Sequence, residues 1–551
     1  MQKDQILVKG IANLLKPIMF IALFTLFSHT NTVFAQNWDQ IIKMIASDRG
    51  AGDEFGYSVA ISGDYAIVGA YRDNEDTTGG NSLIGAGSAY IFKNNSGSWS
   101  EVQKLVASDR GAGDEFGFSV DISGDYAIVS ARLEAEDTTG GNSLNNAGSA
   151  YIFKNNAGTW SEVQKLVASD REATDYFGWS VAISGDYAIV GAHYEDQDTT
   201  GGAFLRDAGS AYIFKNNTGT WSEVQKLVAS DRGAYDRFGV SVAISGDYVI
   251  VGAFQEDEDT TGGNTLSDAG SAYIFKNNSG NWSEVQKLVP SDRGAGDEFG
   301  ISVAISGEIA IVGAVAEAHD TTGLNSLTDA GSAYVFKNDS GSWTEVQKLV
   351  ASDRGAGDEF GISVAISGET AIVGAMREDE DTTGGNTIPN AGSAYLFKNN
   401  SGTWSEIQKL VASDREGNDW FGLSVAISGE TAIVGAVAED HDTTGGSFLN
   451  KAGSAYIYNN RLITSSIVES SFENDRLVVY PNPSNGNFHI DLGAVYQKAK
   501  ISITDISGKL IDSKTIVQSQ IVNFSIKEPT GVYILSVQVD NKKAVIRLAI
   551  E

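Results

Sequence analysis

The stretch Phe116-Gly117-Phe118-Ser119-Val120-Asp121-Ile122-Ser123-Gly124-Asp125-Tyr126-Ala127-Ile128-Val129 holds two short apolar runs joined by Ser-Gly-Asp, a turn signal between residues of high strand propensity. Its Phe-Gly returns at Phe55, Phe177, Phe238, Phe299, Phe360 and Phe421, always in steps of 61 residues. Trp38, Trp99, Trp160, Trp221, Trp282, Trp343 and Trp404 keep the same step, 17 residues ahead of each Phe-Gly. Seven copies at one period are a repeat architecture, and every other motif must be read inside that frame.

Within each copy four stretches read as strands. In the second copy they are Phe116 to Ile122, Tyr126 to Ala131, Gly148 to Phe153 and Trp160 to Val167. All are short, rich in Val, Ile, Phe and Tyr, and bounded by Gly, Asn, Asp and Ser, with no helical spacing of apolar positions. Tyr126-Ala127-Ile128-Val129 is apolar without alternation, so its sheet is covered on both faces, as in blades packed around an axis. Phe55, Tyr57, Val59 and Ile61 alternate with Gly56, Ser58, Ala60 and Ser62, so that large residues of one blade nest against small ones of the next. Four strands in each of seven units predict an all-β chain whose residues 36–460 form a seven-bladed β-propeller. One Trp strand (Trp38 to Ala46) precedes the first Phe-Gly, and the last copy ends at Tyr456 to Tyr458 without one. The N-terminal strand is therefore expected to complete the last blade and close the ring.

The ordered motifs Phe-Gly-x-Ser-Val-Ala-Ile-Ser-Gly-Asp, Ile-Val-Gly-Ala and Gly-Ser-Ala-Tyr-Ile-Phe resemble FG-GAP repeats, the blades of integrin-like propellers, in their bacterial form. The resemblance implies the propeller fold and recognition at a surface. It does not bring that family's calcium loops, because the connection between the first two strands is only Ser-Gly-Asp or Ser-Gly-Glu, as at Ser123-Gly124-Asp125.

Residues 461–476 read as a polar linker, and residues 477–551 carry eight Lys and Arg against six Asp and Glu. Alternating runs at Phe488 to Leu492, Ile501 to Asp505, Gly531 to Val539 and Ala544 to Ile550 predict a small C-terminal β-sandwich. Tyr480-Pro481-Asn482-Pro483, Gly486-Asn487-Phe488, Asp505-Ile506-Ser507-Gly508-Lys509 and Gly531-Val532-Tyr533 resemble the type IX secretion sorting domain of Bacteroidota. That resemblance implies the type IX machinery as a partner and a released or surface-attached product. Residues 1–35 agree with such a route: Lys3, Lys9 and Lys16 precede an apolar core from Ile18 to Phe27, and Val33-Phe34-Ala35 suits signal-peptide cleavage. Ten apolar residues are too few to span a bilayer, so no membrane span is expected in the mature chain.

Composition narrows the partners. The 551 residues carry a formal charge of −32 and no Cys, which argues against nucleic acid and anionic lipid and excludes disulfides and thiol chemistry. No nucleophile elbow, phosphate loop or zinc-helix motif is present, so the chain is read as a non-enzyme. His193, His319 and His441 read as exposed loop residues, and the repeated Trp as a structural anchor between blades.

Candidate sites fall on the face that carries the long loops, such as Tyr71 to Gly85, and the blade connections. Each long loop contains Asp-Thr-Thr, as at Asp76 and Asp198, followed by Gly, a pattern that also resembles a short O-glycosylation acceptor. Asp196, Asp198 and Asp207 in one blade, and Asp257, Asp259 and Asp268 in the next, space oxygen ligands as a Ca2+ loop would. Aspartates and threonines capping their own turns explain the same pattern without a cation. Directly after each Gly-Ala or Ser-Ala strand end the copies diverge, and Tyr71, Arg72, Arg132, His193, Tyr194, Phe254 and Arg377 are candidate ligand contacts. The expected function is a binding or adhesion module for an extracellular protein or glycan. A polysaccharide-acting enzyme and a structural surface-layer component are the alternatives.

Overall fold

The computed structural model describes residues 37–461 except 81, 203, 264 and 324, and residues 478–480, 486–505, 509–527, 531–539 and 542–550. The expected signal segment, the 462–476 part of the linker, Pro481-Asn482-Pro483 and Ile506-Ser507-Gly508 lie outside the described residues.

Seven antiparallel four-stranded sheets follow the seven copies. The second blade is Phe116–Ser123, Tyr126–Ala131, Ser149–Asn156 and Thr159–Leu166, in sequence order from the innermost strand outwards. Innermost strands of successive blades touch all the way round, the last (Phe421–Ser428) meeting the first (Ser58–Ser62), which makes the array a closed seven-bladed propeller. The closing blade is composite. Asn37–Met44 is its outer strand, antiparallel to Ser454–Arg461, with Trp38 opposite Asn460 and Met44 opposite Ala455.

The apolar runs are buried as their patterning requires: Ala127, Ile128 and Val129 have no exposed surface. The seams are built from repeated contacts. Trp160 of the second blade meets Tyr65 of the first edge-on at 5.6 Å, and the Gln103 side chain both accepts from the Trp160 N–H (2.9 Å) and donates to its carbonyl (2.6 Å). Gln164 clamps Trp221 in the same way, and Gln408 clamps Trp38 across the closure. At the next seam Ile42 stands where that Gln would be, so Trp99 lacks the clamp.

Phe-Gly marks where neighbouring blades approach most closely. Gly117 sits at φ +91°, and a Cβ there would lie 2.2 Å from the Ser88 carbonyl oxygen, so only glycine fits. The Ser58 hydroxyl donates to the Gly117 carbonyl at 2.9 Å, and Ser424 does the same to Gly56 across the closure.

Residues 478–550 form two sheets, one of three strands around Asn487–Tyr496 and one of four around Ala499–Asp505 and Gly531–Val539. Phe488, Ile490, Ile501, Ile503, Leu535 and Val537 make their shared core, the expected sandwich. No helix among the described residues is long and apolar enough to cross a membrane.

Candidate functional site at the channel mouth

The residue between Phe-Gly and Ser is Tyr57, Phe118, Trp179, Val240, Ile301, Ile362 or Leu423 in the seven blades. It starts the innermost strand, so the seven side chains meet around the ring axis on the long-loop face. A cavity of about 540 Å3 lies there, lined by residues of six blades, among them Tyr57, Trp179, Val240, Ile301, Ile362 and Leu423. His193, Tyr194, Arg237, Phe254 and Gln255 complete its wall.

The lining is lopsided. Blades 1 to 3 supply a run of tilted rings in contact: Tyr57 lies 4.5 Å from Tyr71 and 4.9 Å from Phe118, Phe118 lies 5.1 Å from Trp179, and Trp179 lies 4.0 Å from His193. Two guanidinium groups lie over three rings. Arg132 sits 3.8 Å from the Phe118 centroid and 4.7 Å from that of Trp179, and Arg237 sits 3.9 Å from that of Tyr194. Blades 5 to 7 contribute only Ile301, Ile362 and Leu423.

Of the seven candidate contacts, the structure brings His193, Tyr194 and Phe254 into the cavity wall. Tyr71 is buried behind Tyr57, and Arg132 stands behind Trp179 in an ion pair with Glu115 at 2.6 Å. Arg72 and Arg377 are half exposed and paired with Glu54 and Glu359 at 3.0 and 2.6 Å. His193 corrects the expectation of an exposed loop residue. It is 2 % exposed, because the rings of Tyr176, Trp179 and Tyr194 enclose it, and burial together with Arg237 and Arg132 holds its pKa well below the ordinary value. Tyr57, Arg237 and Gln255 were not singled out by sequence. The signal was available, since the x position of Phe-Gly-x-Ser varies among copies as freely as the positions after Gly-Ala.

The loop aspartates are occupied differently. Asp198 Oδ1 accepts from the Thr200 N–H and hydroxyl and the Gly202 N–H at 2.7 to 3.1 Å, and Asp259 does the same for Thr261 and Gly263. Asp196 and Asp257 accept instead from the backbone N–H of Asp207 and Asp268, at 2.6 and 2.8 Å. Asp207 faces Arg237 and Arg206, and Asp268 accepts from Gln255. Asp196, Asp198, Asp257 and Asp259 thus accept from the backbone of their own loop, while Asp207 and Asp268 face side chains. The carboxylates that do converge within 4.8 Å are others: Asp53, Asp73 and Glu75; Asp231, Glu256 and Glu258; Asp353, Glu378 and Glu380. A lysine already sits in each group, as Lys287 does at 2.6 Å from Asp231 and 2.7 Å from Glu256.

That lysine recurs in all seven blades, buried beside a tyrosine hydroxyl, as Lys226 is beside Asp170, Glu195 and Tyr212. Grooves of about 550 to 650 Å3 open over it between the Asp-Thr-Thr loop and the outer strand. All three are larger than the mouth, but their polar groups pair with one another and their lining repeats from blade to blade.

Comparison with known proteins bears on both parts of the chain. No curated protein matches it. Among solved structures it is similar to a DUF3244 family protein with an immunoglobulin-like β-sandwich fold from Bacteroides vulgatus ATCC 8482, at 18% identity and TM-score 0.14, covering 15% of this chain and 94% of that one. The model of the secretion system C-terminal sorting domain matches residues 478–551, so the chain is exported by type IX secretion to the cell surface or extracellular space, with that machinery as a partner. The FG-GAP repeat model matches seven times in register, at residues 38–92, 99–153, 160–214, 221–275, 282–336, 343–397 and 404–458. With seven matched repeats folded as seven blades, the chain belongs to the FG-GAP repeat family.

Proposed function

We propose that the protein is a binding module of the adhesion or recognition type, and that it engages an extracellular protein or glycan at the mouth of its ring. One observation carries this reading. The seven copies repeat the Trp at every seam and the Gln clamp at six of the seven, whereas the residues that meet around the cavity differ from blade to blade, with rings and guanidiniums gathered on one side of it. A small-ligand site has this character: a concave, mostly apolar wall with a few polar groups, and a volume within the usual range.

The lining also supports binding over catalysis. The residues around the cavity include no Asp or Glu, whereas glycoside hydrolysis ordinarily needs two carboxylates across the scissile bond. His193 is enclosed by tilted and edge-on rings rather than set beside a nucleophile. The test is a glycan and extracellular-protein array probed with the full-length protein and with Trp179→Ala and Tyr194→Ala. Binding that both substitutions abolish, with the melting temperature retained, is expected. Ligands that bind the variants as well as the parent would move the site elsewhere, and turnover of an array glycan would replace binding by catalysis.

A further inference from the structure

We propose that the channel mouth selects a ring compound bearing one carboxylate, with Arg237 as the residue that takes the carboxylate. The inference rests on the mouth being the ligand site. In three blades an arginine after the second strand is matched by a glutamate before Phe-Gly: Arg72 by Glu54, Arg132 by Glu115 and Arg377 by Glu359, at 3.0, 2.6 and 2.6 Å. Blade 4 breaks the pattern. Arg237 itself occupies the position of those glutamates, and Phe254-Gln255 occupies the position of the arginines.

Arg237 is left short of acceptors. The carboxylate beside it is Asp207 at 3.6 Å, beyond hydrogen-bonding distance, and its Nε is buried with no partner. The guanidinium is held over Tyr194, 3.9 Å from its ring centroid, and the side chain keeps 17 % exposure at the cavity wall. A fixed, partly desolvated guanidinium in this state suits a carboxylate, which its planar fork can grip with two hydrogen bonds. His193 next to it is neutral and its Nδ1 has no partner, so it brings no competing charge.

The rest of the wall selects the body of the ligand. Trp179, Tyr194 and Phe254 are half-buried rings around a volume that holds one or two six-membered rings. A chain of charge −32 repels polyanions, whereas a single carboxylate can meet the local guanidiniums. Two sources share this chemistry: an acidic sugar and an aromatic acid.

Calorimetric titration of the full-length protein with glucuronate and with 4-hydroxybenzoate, each against its neutral counterpart (glucose and 4-hydroxybenzyl alcohol), separates them. One acid is expected to bind about tenfold or more tightly than its neutral partner, the scale of a charge-assisted hydrogen bond. Arg237→Gln should remove that preference, Arg237→Lys should keep part of it, and Arg377→Gln, whose arginine is paired with Glu359, should keep it all. The Lys variant serves as the reporter if the Gln variant does not fold. Absence of binding by both acids, equal binding of acid and neutral partner, or an unchanged preference in the folded Arg237 variants would overturn the assignment. An array ligand lost in Trp179→Ala but kept in Arg237→Gln would leave the mouth as the site and remove the carboxylate.

Discussion

At the seams between blades the copies reuse the same Trp and, at six of the seven, the same Gln clamp, while at the channel mouth the same backbone positions carry Tyr, Phe, Trp, Val, Ile or Leu. The Gln103 clamp on the Trp160 backbone recurs at six of the seven seams, and the Tyr65 ring against Trp160 at four, with Ile309, Thr370 and Thr431 at that position in the other blades; each seam must fill a similar space and satisfy the same buried amide. Tyr57, Phe118 and Trp179 meet no such demand from the seam; they meet one another, and Tyr57 and Trp179 line the cavity. Identity among copies therefore reports packing, and difference among copies reports what lies beyond the packing.

The largest effect should come from breaking the composite seam. Deleting residues 37–46 removes Trp38 and Met44 from cores of the closing blade and exposes a strand edge. Each large side chain contributes roughly 1.5 to 3 kcal/mol by burial, so a calorimetric melt should fall by about 10 °C or more or lose its cooperativity. An unchanged melt would mean that the ring does not depend on closure.

Next comes the repeated lysine. Lys226→Ala leaves Asp170 and Glu195 without the cation that lies 2.7 and 2.9 Å from them, and Glu195 is 1 % exposed. Removing one partner of a buried pair costs about 3 to 5 kcal/mol, so denaturant unfolding should show a loss of that size. A loss near zero would place the lysine among tolerated surface charges.

The blade connections give a pH effect of opposite sign to ordinary acid denaturation. Burial raises the carboxyls of Asp53, Asp114 and Asp358 to about 6 and those of Asp175, Asp236 and Asp419 to about 7, against a backbone N–H that pulls each of them down. Asp297 shifts the same way. The unfolded chain titrates near 3.8, so between about pH 4 and 7 the folded protein binds more protons than the unfolded one. Stability should then rise as pH is lowered from 8 to 5, by several kcal/mol at about 1.4 kcal/mol per unit and group. Asp259 and Asp442, held at about 2 by threonine hydroxyls and turn N–H groups, oppose this only below about pH 4. Melts at pH 8, 6.5 and 5 check the sign.

The smallest change in stability belongs to the mouth. Phe254→Ala removes a half-buried ring outside the seam cores and should alter stability by about 1 kcal/mol or less while weakening ligand binding. A loss as large as that of Lys226→Ala would erase the distinction between the two regions.

Much of the fold was legible because the period puts the same information in the sequence seven times: Phe-Gly, Trp and the apolar strands each located an element, and the missing last Trp strand located the closure. The candidate site was legible only in part. Divergence after Gly-Ala pointed to Tyr194 and Phe254, but the Arg72–Glu54 pairing joins residues 18 apart on different turns, so the absence of such a glutamate partner for Arg237, which has only the longer contact with Asp207 at 3.6 Å, appears only once the chain is folded. Tyr57 looked like a member of an alternating strand, and in a ring the inner end of such a strand is a wall rather than a core. His193 misled because its loop position gave no sign of the rings from Tyr176 to Tyr194 that enclose it.

The composite blade also sets an order in time. Asn37–Met44 is made first, and its partner Ser454–Arg461 is made after all the intervening blades, so no ring can exist until the chain has delivered almost the whole repeat array. The entropy of so long a loop adds little to the final free energy, about 0.6 kcal/mol for each doubling of length. Its effect is on rate: six blades can form from neighbouring strands, while the seventh waits for the two ends of the array to find each other.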